Sequence, residues 1–333
     1  MYSLFKSALF RINPEAAHDL TINSLQMLGQ CLGAAGPMPG RRCAIAGLQF
    51  SNPIGLAAGL DKDAQAVPGL SRLGFGHLEV GTVTPRAQSG NPKPRVFRLE
   101  EDNALINRLG FNNAGIDALV DRLTDQTYEG VIGVNIGKNK ETPNDAAYRD
   151  YVICIKKAAP VTDYISVNIS SPNTPGLRDL AEAGSILDVI KPVLEARSDL
   201  KNRKSAYLPV FVKLAPDFFD AGLRSVLEAL KETSVDGVIL TNTTVSRDGL
   251  LSPHRGEAGG LSGAPLTVQA EHCLKLATET LEGSLPIISV GGVMSGEDAS
   301  RRLELGALLV QLYTGLIYRG PGLVKDAIRR TRC

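Results

Sequence analysis

Eight short apolar runs, most of them separated by a stretch of helical periodicity, constrain this chain more than any other feature. They occupy 54–58, 78–83, 131–136, 165–169, 210–214, 237–240, 287–290 and 309–312. Each is too short for a buried helix, and most are rich in Val, Ile and Leu, as strands covered on both faces are. Parallel neighbours need a crossover of a dozen or more residues, which the helical stretches supply. The pattern predicts α/β class, an eight-stranded (β/α)8 barrel of the TIM type, and 333 residues hold one with insertions. A doubly wound sheet is the competing arrangement, but it would scatter the polar residues at the run ends to either side of a switch point.

Those polar residues recur with every run: Lys62 shortly after the first, then Thr82, Asn135, Asn168, Lys213, Thr241 with Asn242, Gly291 with Gly292, and Tyr313 with Thr314. In a barrel all these ends meet on one face, and that face carries the active site. The fourth end is the densest. From Tyr164 to Gly176 the chain alternates Ile165, Val167 and Ile169 with small polar residues. It then meets Pro172, Pro175 and Gly176, so the strand stops near Ser170. Asn168, Ser170, Ser171 and Asn173 thus collect in a stiffened loop; the plain alternative is a turn before a helix near Asp179.

After the seventh and eighth runs, Gly291-Gly292, the helix start at Ser295-Gly296-Glu297-Asp298 and Tyr313-Thr314-Gly315 make a phosphate cup, with backbone N–H groups and a helix dipole favouring an anion. Lys62 and Lys213, next to apolar runs, suit developing negative charge on a ring or a carboxylate. A plainer role for Lys62 is an ion pair with Asp61 or Asp63. Hydrolysis by a serine triad does not fit. His18 and His272 lie in helical patterns, His77 opens a strand at the opposite end, and His254 sits in a loop. Ser171 can still accept a proton when hydride leaves the adjacent carbon in a closed site. Asn107, Asn168, Asn173 and Asn242 then match a flat, carbonyl-rich ring.

Two connections, 85–111 and 245–265, are longer than a barrel needs and read as covers of the active face. Ahead of the barrel, residues 2–12 place Leu4, Phe5, Ala8, Leu9 and Ile12 on one helical face. A second helix starts at Pro14 and ends before Gly29, and 33–40 is a linker. This helical pair either lies in a membrane interface or plugs the barrel floor. Net charge of +1 offers nothing to nucleic acid, and five scattered cysteines indicate neither a disulfide framework nor a metal site but a reducing compartment. No run is long enough to span a bilayer, and no secretory signal is recognisable.

Seven segments together resemble the dihydroorotate dehydrogenase family: 57–63 (AAGLDKD), 107–113 (NRLGFNN), 133–139 (GVNIGKN), 168–176 (NISSPNTPG), 213–217 (KLAPD), 241–244 (TNTT) and 313–315 (YTG). They run in order over nearly the whole chain. The resemblance implies an FMN-binding barrel that oxidises dihydroorotate to orotate in pyrimidine synthesis. It implies that Ser171 takes the C5 proton while hydride passes from C6 to flavin N5. Lys62, the segment Asn107, Arg108, Leu109, Gly110 and Phe111, and Asn168, Asn173, Asn242 and Thr243 would bind the substrate. Ala58, Gly59, Leu60, Asp61, Lys62, Thr82, Asn135, Asn168, Lys213, Thr241, Gly263, Gly292, Tyr313 and Thr314 would contact FMN.

Soluble members of the family carry cysteine as the base. Ser171 and the helical pair are instead similar to the quinone-dependent class, with His18 and Arg98 near the quinone path. On that reading 1–40 is an arm and 41–333 the catalytic barrel. The enzyme sits peripherally on the cytoplasmic face of the inner membrane, without an obligatory protein partner. The alternatives are a soluble relative using fumarate or NAD, a phosphosugar isomerase or aldolase on the same fold, and a barrel that binds FMN without turnover.

Overall fold

The computed structural model describes residues 2–170, 183–205 and 207–332, and for 3–5 and 183 the backbone alone. Helices α1 (Tyr2–Leu9) and α2 (Pro14–Leu32) lead into an antiparallel hairpin of β1 (Cys43–Ile45) and β2 (Leu48–Phe50). The barrel begins with β3 (Ile54–Leu56), α3 (Val67–Ser71) and β4 (His77–Val83). A second hairpin, β5 (Val96–Leu99) and β6 (Ala104–Asn107), interrupts it before α4 (Ile116–Thr124). The alternation resumes with β7 (Val131–Ile136), α5 (Ala147–Ala158), β8 (Tyr164–Asn168), α6 (Ala183–Arg197), β9 (Val210–Leu214), α7 (Asp220–Lys231) and β10 (Gly237–Leu240). After β11 (Gly260–Gly263) come α8 (Thr267–Leu281), β12 (Ile287–Val290), α9 (Gly296–Glu304), β13 (Leu309–Leu312), α10 (Thr314–Arg319) and α11 (Gly322–Arg330).

All eight predicted runs are strands, and they close in the order β3-β4-β7-β8-β9-β10-β12-β13. Every pair in the ring is parallel, so all eight C-terminal ends share one face. Alternation sends one set of side chains outward against the helices, where Val80, Val134, Val167, Val212 and Val238 join the main core. The other set fills the interior in layers. At the floor Val131, Tyr164, Phe211, Ile239, Ile288 and Leu309 pack with Ile45, Leu48 and Phe50. The β1–β2 hairpin is therefore the plug, and the helical pair is not. Two barrel glycines make room for large neighbours: a Cβ on Gly133 would stand 2.1 Å from the Tyr164 ring, and one on Gly55 2.0 Å from His77.

α2 lies against α3 and runs through Gly29 to Leu32, four residues past the expected stop. A Cβ at Gly29 would sit 2.7 Å from the Gly69 backbone nitrogen, so this glycine marks a close helix crossing rather than a helix end. Glu15 at the start of α2 forms a buried ion pair with Arg95 at 2.7 Å, and Arg95 Nη1 donates to the carbonyls of Ser89 and Asn91. α1 ends at Leu9 where the Arg98 guanidinium donates to the Leu9, Phe10 and Ile12 carbonyls, an arginine cap on a helix C-terminus. The two long connections carry structure of their own. β11 pairs with β6, and β6 with β5, in a three-stranded antiparallel sheet beside the barrel mouth.

Candidate active site

The barrel mouth opens into a cavity of about 1000 Å³, counted to its open end. Its floor lies above a buried polar layer, and every barrel strand or the loop that follows it contributes except β7. Of the residues expected to touch a cofactor, Ala58, Gly59, Lys62, Thr82, Asn168, Lys213, Thr241, Gly263, Gly292, Tyr313 and Thr314 line it. Leu60, Asp61 and Asn135 do not. Asp61 is buried, and its carboxylate accepts from the Gln65 and Ala66 backbone nitrogens at 2.8 Å, shaping the turn that carries Lys62. Asn135 supports from below: Thr82 Oγ1 donates to its Oδ1 at 2.5 Å, and Asn168 Nδ2 donates to Thr82 Oγ1 at 3.1 Å.

The two lysines differ in their partners. Asp61 is committed to its turn and Asp63 Oδ1 accepts from Ala114 N at 2.8 Å, so among the described residues Lys62 makes no ion pair. Burial pushes its ammonium below the usual lysine range, with Arg95 adding to the effect and the nearby carboxylates opposing it. Lys213 stands 4.0 Å from Glu79 Oε1, and burial pushes it down as well. Glu79, Gln311, Ser262 and Arg302 were not picked out by sequence reasoning. A glutamate inside the apolar run 78–83 was the available signal, since alternation sends it into the barrel.

At the far end, Gly291 (φ +107°) and Gly292 (φ +73°) turn the chain after β12. A Cβ on Gly292 would fall 2.4 Å from the Thr267 Cα, so the turn requires glycine there. Arg302 of α9, fully buried, clamps this turn from behind through the Gly291 carbonyl at 2.9 Å, the Thr267 carbonyl at 3.1 Å and Ser289 Oγ at 3.2 Å. The start of α9 does not contribute as expected. Ser295 Oγ accepts from Asp298 N, and Asp298 Oδ2 accepts from Met294 N, so that helix end caps itself. The start of α10, Thr314 and Gly315, lines the cavity instead.

On the side facing the long connections, Asn107, Leu109, Gly110, Phe111, Asn168, Asn242 and Thr243 line the same space. Asn242 Nδ2 donates to Asn168 Oδ1 at 3.2 Å and to Ser170 Oγ at 3.0 Å, and Ser170 Oγ donates to the Lys213 carbonyl at 2.9 Å. Arg108 departs from expectation: it turns away, forming an ion pair with Glu257 at 2.7 Å and stacking on Phe97 at 4.5 Å, and so ties the two connections together. Ser171 and Asn173 lie outside the described residues, immediately after Ser170.

A second cavity, about 1880 Å³ counted to its open end, lies between α1, α2 and the barrel mouth. His18 and Arg98 line it, together with Phe10, Ile22 and Leu316. Burial holds His18 down to about 4, with Lys62 adding to the effect and Glu15 opposing it, so the imidazole is neutral at pH 7. Lys62, Asn107, Leu109, Ser262 and Tyr313 line both cavities. The two spaces therefore share a wall.

The sequence profile of the Dihydroorotate dehydrogenase family matches residues 42–331. A dihydroorotate dehydrogenase (quinone) from Idiomarina loihiensis is 47% identical over 98% of this chain and 99% of its own length. One of the same name from Halorhodospira halophila is 49% identical over 99% and 97%. A crystal structure of ligand-free DHODH from Eimeria tenella superposes with a TM-score of 0.88 at 39% identity, covering 96% of this chain and 94% of that one. With the fold, the strand-end residues and the family profile in agreement over this length, the chain belongs to the dihydroorotate dehydrogenase family.

Proposed function

We propose that this protein oxidises dihydroorotate to orotate in pyrimidine biosynthesis and passes the electrons to a quinone. The observation that carries this reading is the shared wall between the two cavities, one polar and cationic, the other reached past two helices. Relatives named as quinone enzymes match this chain from end to end, helical pair included, which disfavours fumarate or NAD as acceptor.

The polar cavity fits FMN. Thr241 Oγ1 is buried without a hydrogen-bond partner among the described residues, Gly291 and Gly292 present bare backbone to the cavity, and two lysines face a ring-sized space. When bound, FMN supplies a two-electron acceptor for the substrate and a donor for the quinone. Gly291, Gly292 and Thr314, backed by Arg302, hold its phosphate, while Lys62, Lys213, Thr82 and Thr241 hold the ring system. Asn107, Asn168, Asn173 and Asn242 orient the pyrimidine through its carbonyl and N–H edges, with Lys62 offsetting its carboxylate. Phe111 and Leu109 cover this end and limit water. Ser171 takes the proton from the carbon next to the one that loses hydride. His18 and Arg98 flank the path by which quinone reaches the shared wall.

α2 carries Leu20, Met27, Leu28 and Leu32 exposed at helical spacing, an apolar stripe suited to a lipid interface. Among the described residues no helix is long and apolar enough to cross a membrane. Residues 1–40 thus serve as a peripheral arm on the cytoplasmic face of the inner membrane, and 41–333 as the catalytic barrel. Replacing the base tests the chemistry. Ser171→Ala slows reduction of the bound flavin by dihydroorotate by about 10²–10⁴-fold in stopped flow, with a smaller change in substrate affinity. Near-normal reduction would assign the proton to another residue.

A further inference from the structure

The middle layer of the barrel interior holds one fully buried carboxylate, Glu79 of β4. Tyr164 OH and Gln311 Nε2 donate to its Oε2 at 2.9 and 2.7 Å, and Asn135 Nδ2 donates to its Oε1 at 2.8 Å. Lys213 Nζ, from β9, stands 4.0 Å from Oε1. Three neutral groups donate to this carboxyl group and an ammonium faces it. That is what an ionised carboxylate requires and what a protonated acid, with a hydrogen of its own to place, does not.

The other titratable groups facing this pair carry no charge at neutral pH. Burial holds His77, on the same strand, down to about 4, and burial together with the adjacent carboxylate pushes the Tyr164 phenol well up. Asn135 of β7 and Gln311 of β13 are neutral amides. Lys62 approaches the same cavity from the loop after β3, and its nearest carboxylates, Asp61 and Asp63, serve backbone nitrogens there. Among the described residues Glu79 is therefore the counter-charge of Lys213. Lys213 is 5% exposed, and burial of that degree drives an ammonium toward its neutral form unless a carboxylate opposes it.

We propose that Glu79 is a positioning residue acting through Lys213: its carboxylate holds the ammonium at the cavity floor and keeps it charged, and thereby sets the reduction potential of the bound flavin. The proposal rests on the assignment of this cavity to FMN. Glu79 also fixes Gln311, whose nitrogen it engages and whose Oε1 is left buried without a partner among the described residues. Through Asn135 it reaches Thr82 and Asn168 on the cavity wall. A cation beside the ring favours the reduced, anionic cofactor, so loss of the Lys213 proton is read as a break in the curve of potential against pH.

The test is the flavin midpoint potential as a function of pH in the wild-type holoenzyme, Glu79→Gln, Lys213→Met and the double variant. Glu79→Gln moves the break down by at least about one pH unit, the size expected for removing an opposite charge at this distance. In the Lys213→Met background the same substitution moves no break, because the group it acts through is gone. A break that stays in place in Glu79→Gln, or that shifts as far with Lys213 absent, overturns the proposal; a packing role alone would change flavin content or melting temperature and leave the break where it was. Should Glu79→Gln not fold, Glu79→Asp, which withdraws the carboxylate by one methylene, shifts the break the same way by less, and an unshifted profile there also overturns it. A wild-type protein without flavin would instead remove the cofactor assignment beneath the proposal.

Discussion

His77 shows how a residue can serve the fold at a cost in acid. Its ring is fully buried, its Nδ1 has no partner among the described residues, and it packs edge-on against Phe50 with ring centroids 5.5 Å apart. Burial holds it down to about 4 against an ordinary value of 6.5, so the unfolded chain binds a proton between those values and the folded one does not. Its contribution is complete above pH 6.5 and is lost as pH falls toward 4. Between pH 7 and 4.5 this single group removes roughly 2 kcal/mol of stability. His77→Gln, though less stable at pH 7, should lose correspondingly less on acidification in urea unfolding; an equal loss would place the acid sensitivity elsewhere. At this scale the sequence was readable where a residue lies at a strand end or in the loop just past it, as Lys213, Thr241 and Lys62 do. It was silent on Glu79, Gln311 and Arg302, because their importance comes from partners on strands and turns far away in the chain. Arg108 misled for the same reason: its neighbours in sequence line the cavity, but Glu257 draws its own side chain outward.

Among the elements, the eight strands were legible because burial on both faces leaves an uninterrupted apolar run. The hairpins were not. β1 and β2 are three residues each, and β5, β6 and β11 are stabilised by pairing across the two long connections rather than by any local pattern. In the sequence Gly29 reads as a helix end because glycine usually marks one; in the fold it permits α2 to cross α3 closely. The helical pair is anchored by Glu15 to Arg95 and by Arg98 to the end of α1, and it walls the second cavity without reaching the barrel floor. Removal of residues 1–40 should therefore abolish quinone reduction while leaving flavin reduction by dihydroorotate. Arg95→Met belongs in the same truncated chain, since a buried guanidinium without Glu15 would be destabilising. Unchanged quinone turnover in that protein would show that the helices do not form the quinone path.

For the molecule as a whole, the arrangement separates two chemistries that must communicate. On the proposed function, polar substrate would enter beneath the connections over the barrel mouth and the apolar acceptor from the side of α1 and α2, with Lys62, Asn107, Leu109, Ser262 and Tyr313 in the wall that the two cavities share. A flavin at that wall would join the two half-reactions without the substrates meeting. The direct measurement is the visible absorption spectrum of the purified protein, recorded without oxygen before and after dihydroorotate and again after a short-chain quinone. If a flavin couples the two cavities, its bands bleach with dihydroorotate and return with quinone. A colourless protein, or flavin bands that dihydroorotate leaves unchanged, would contradict it.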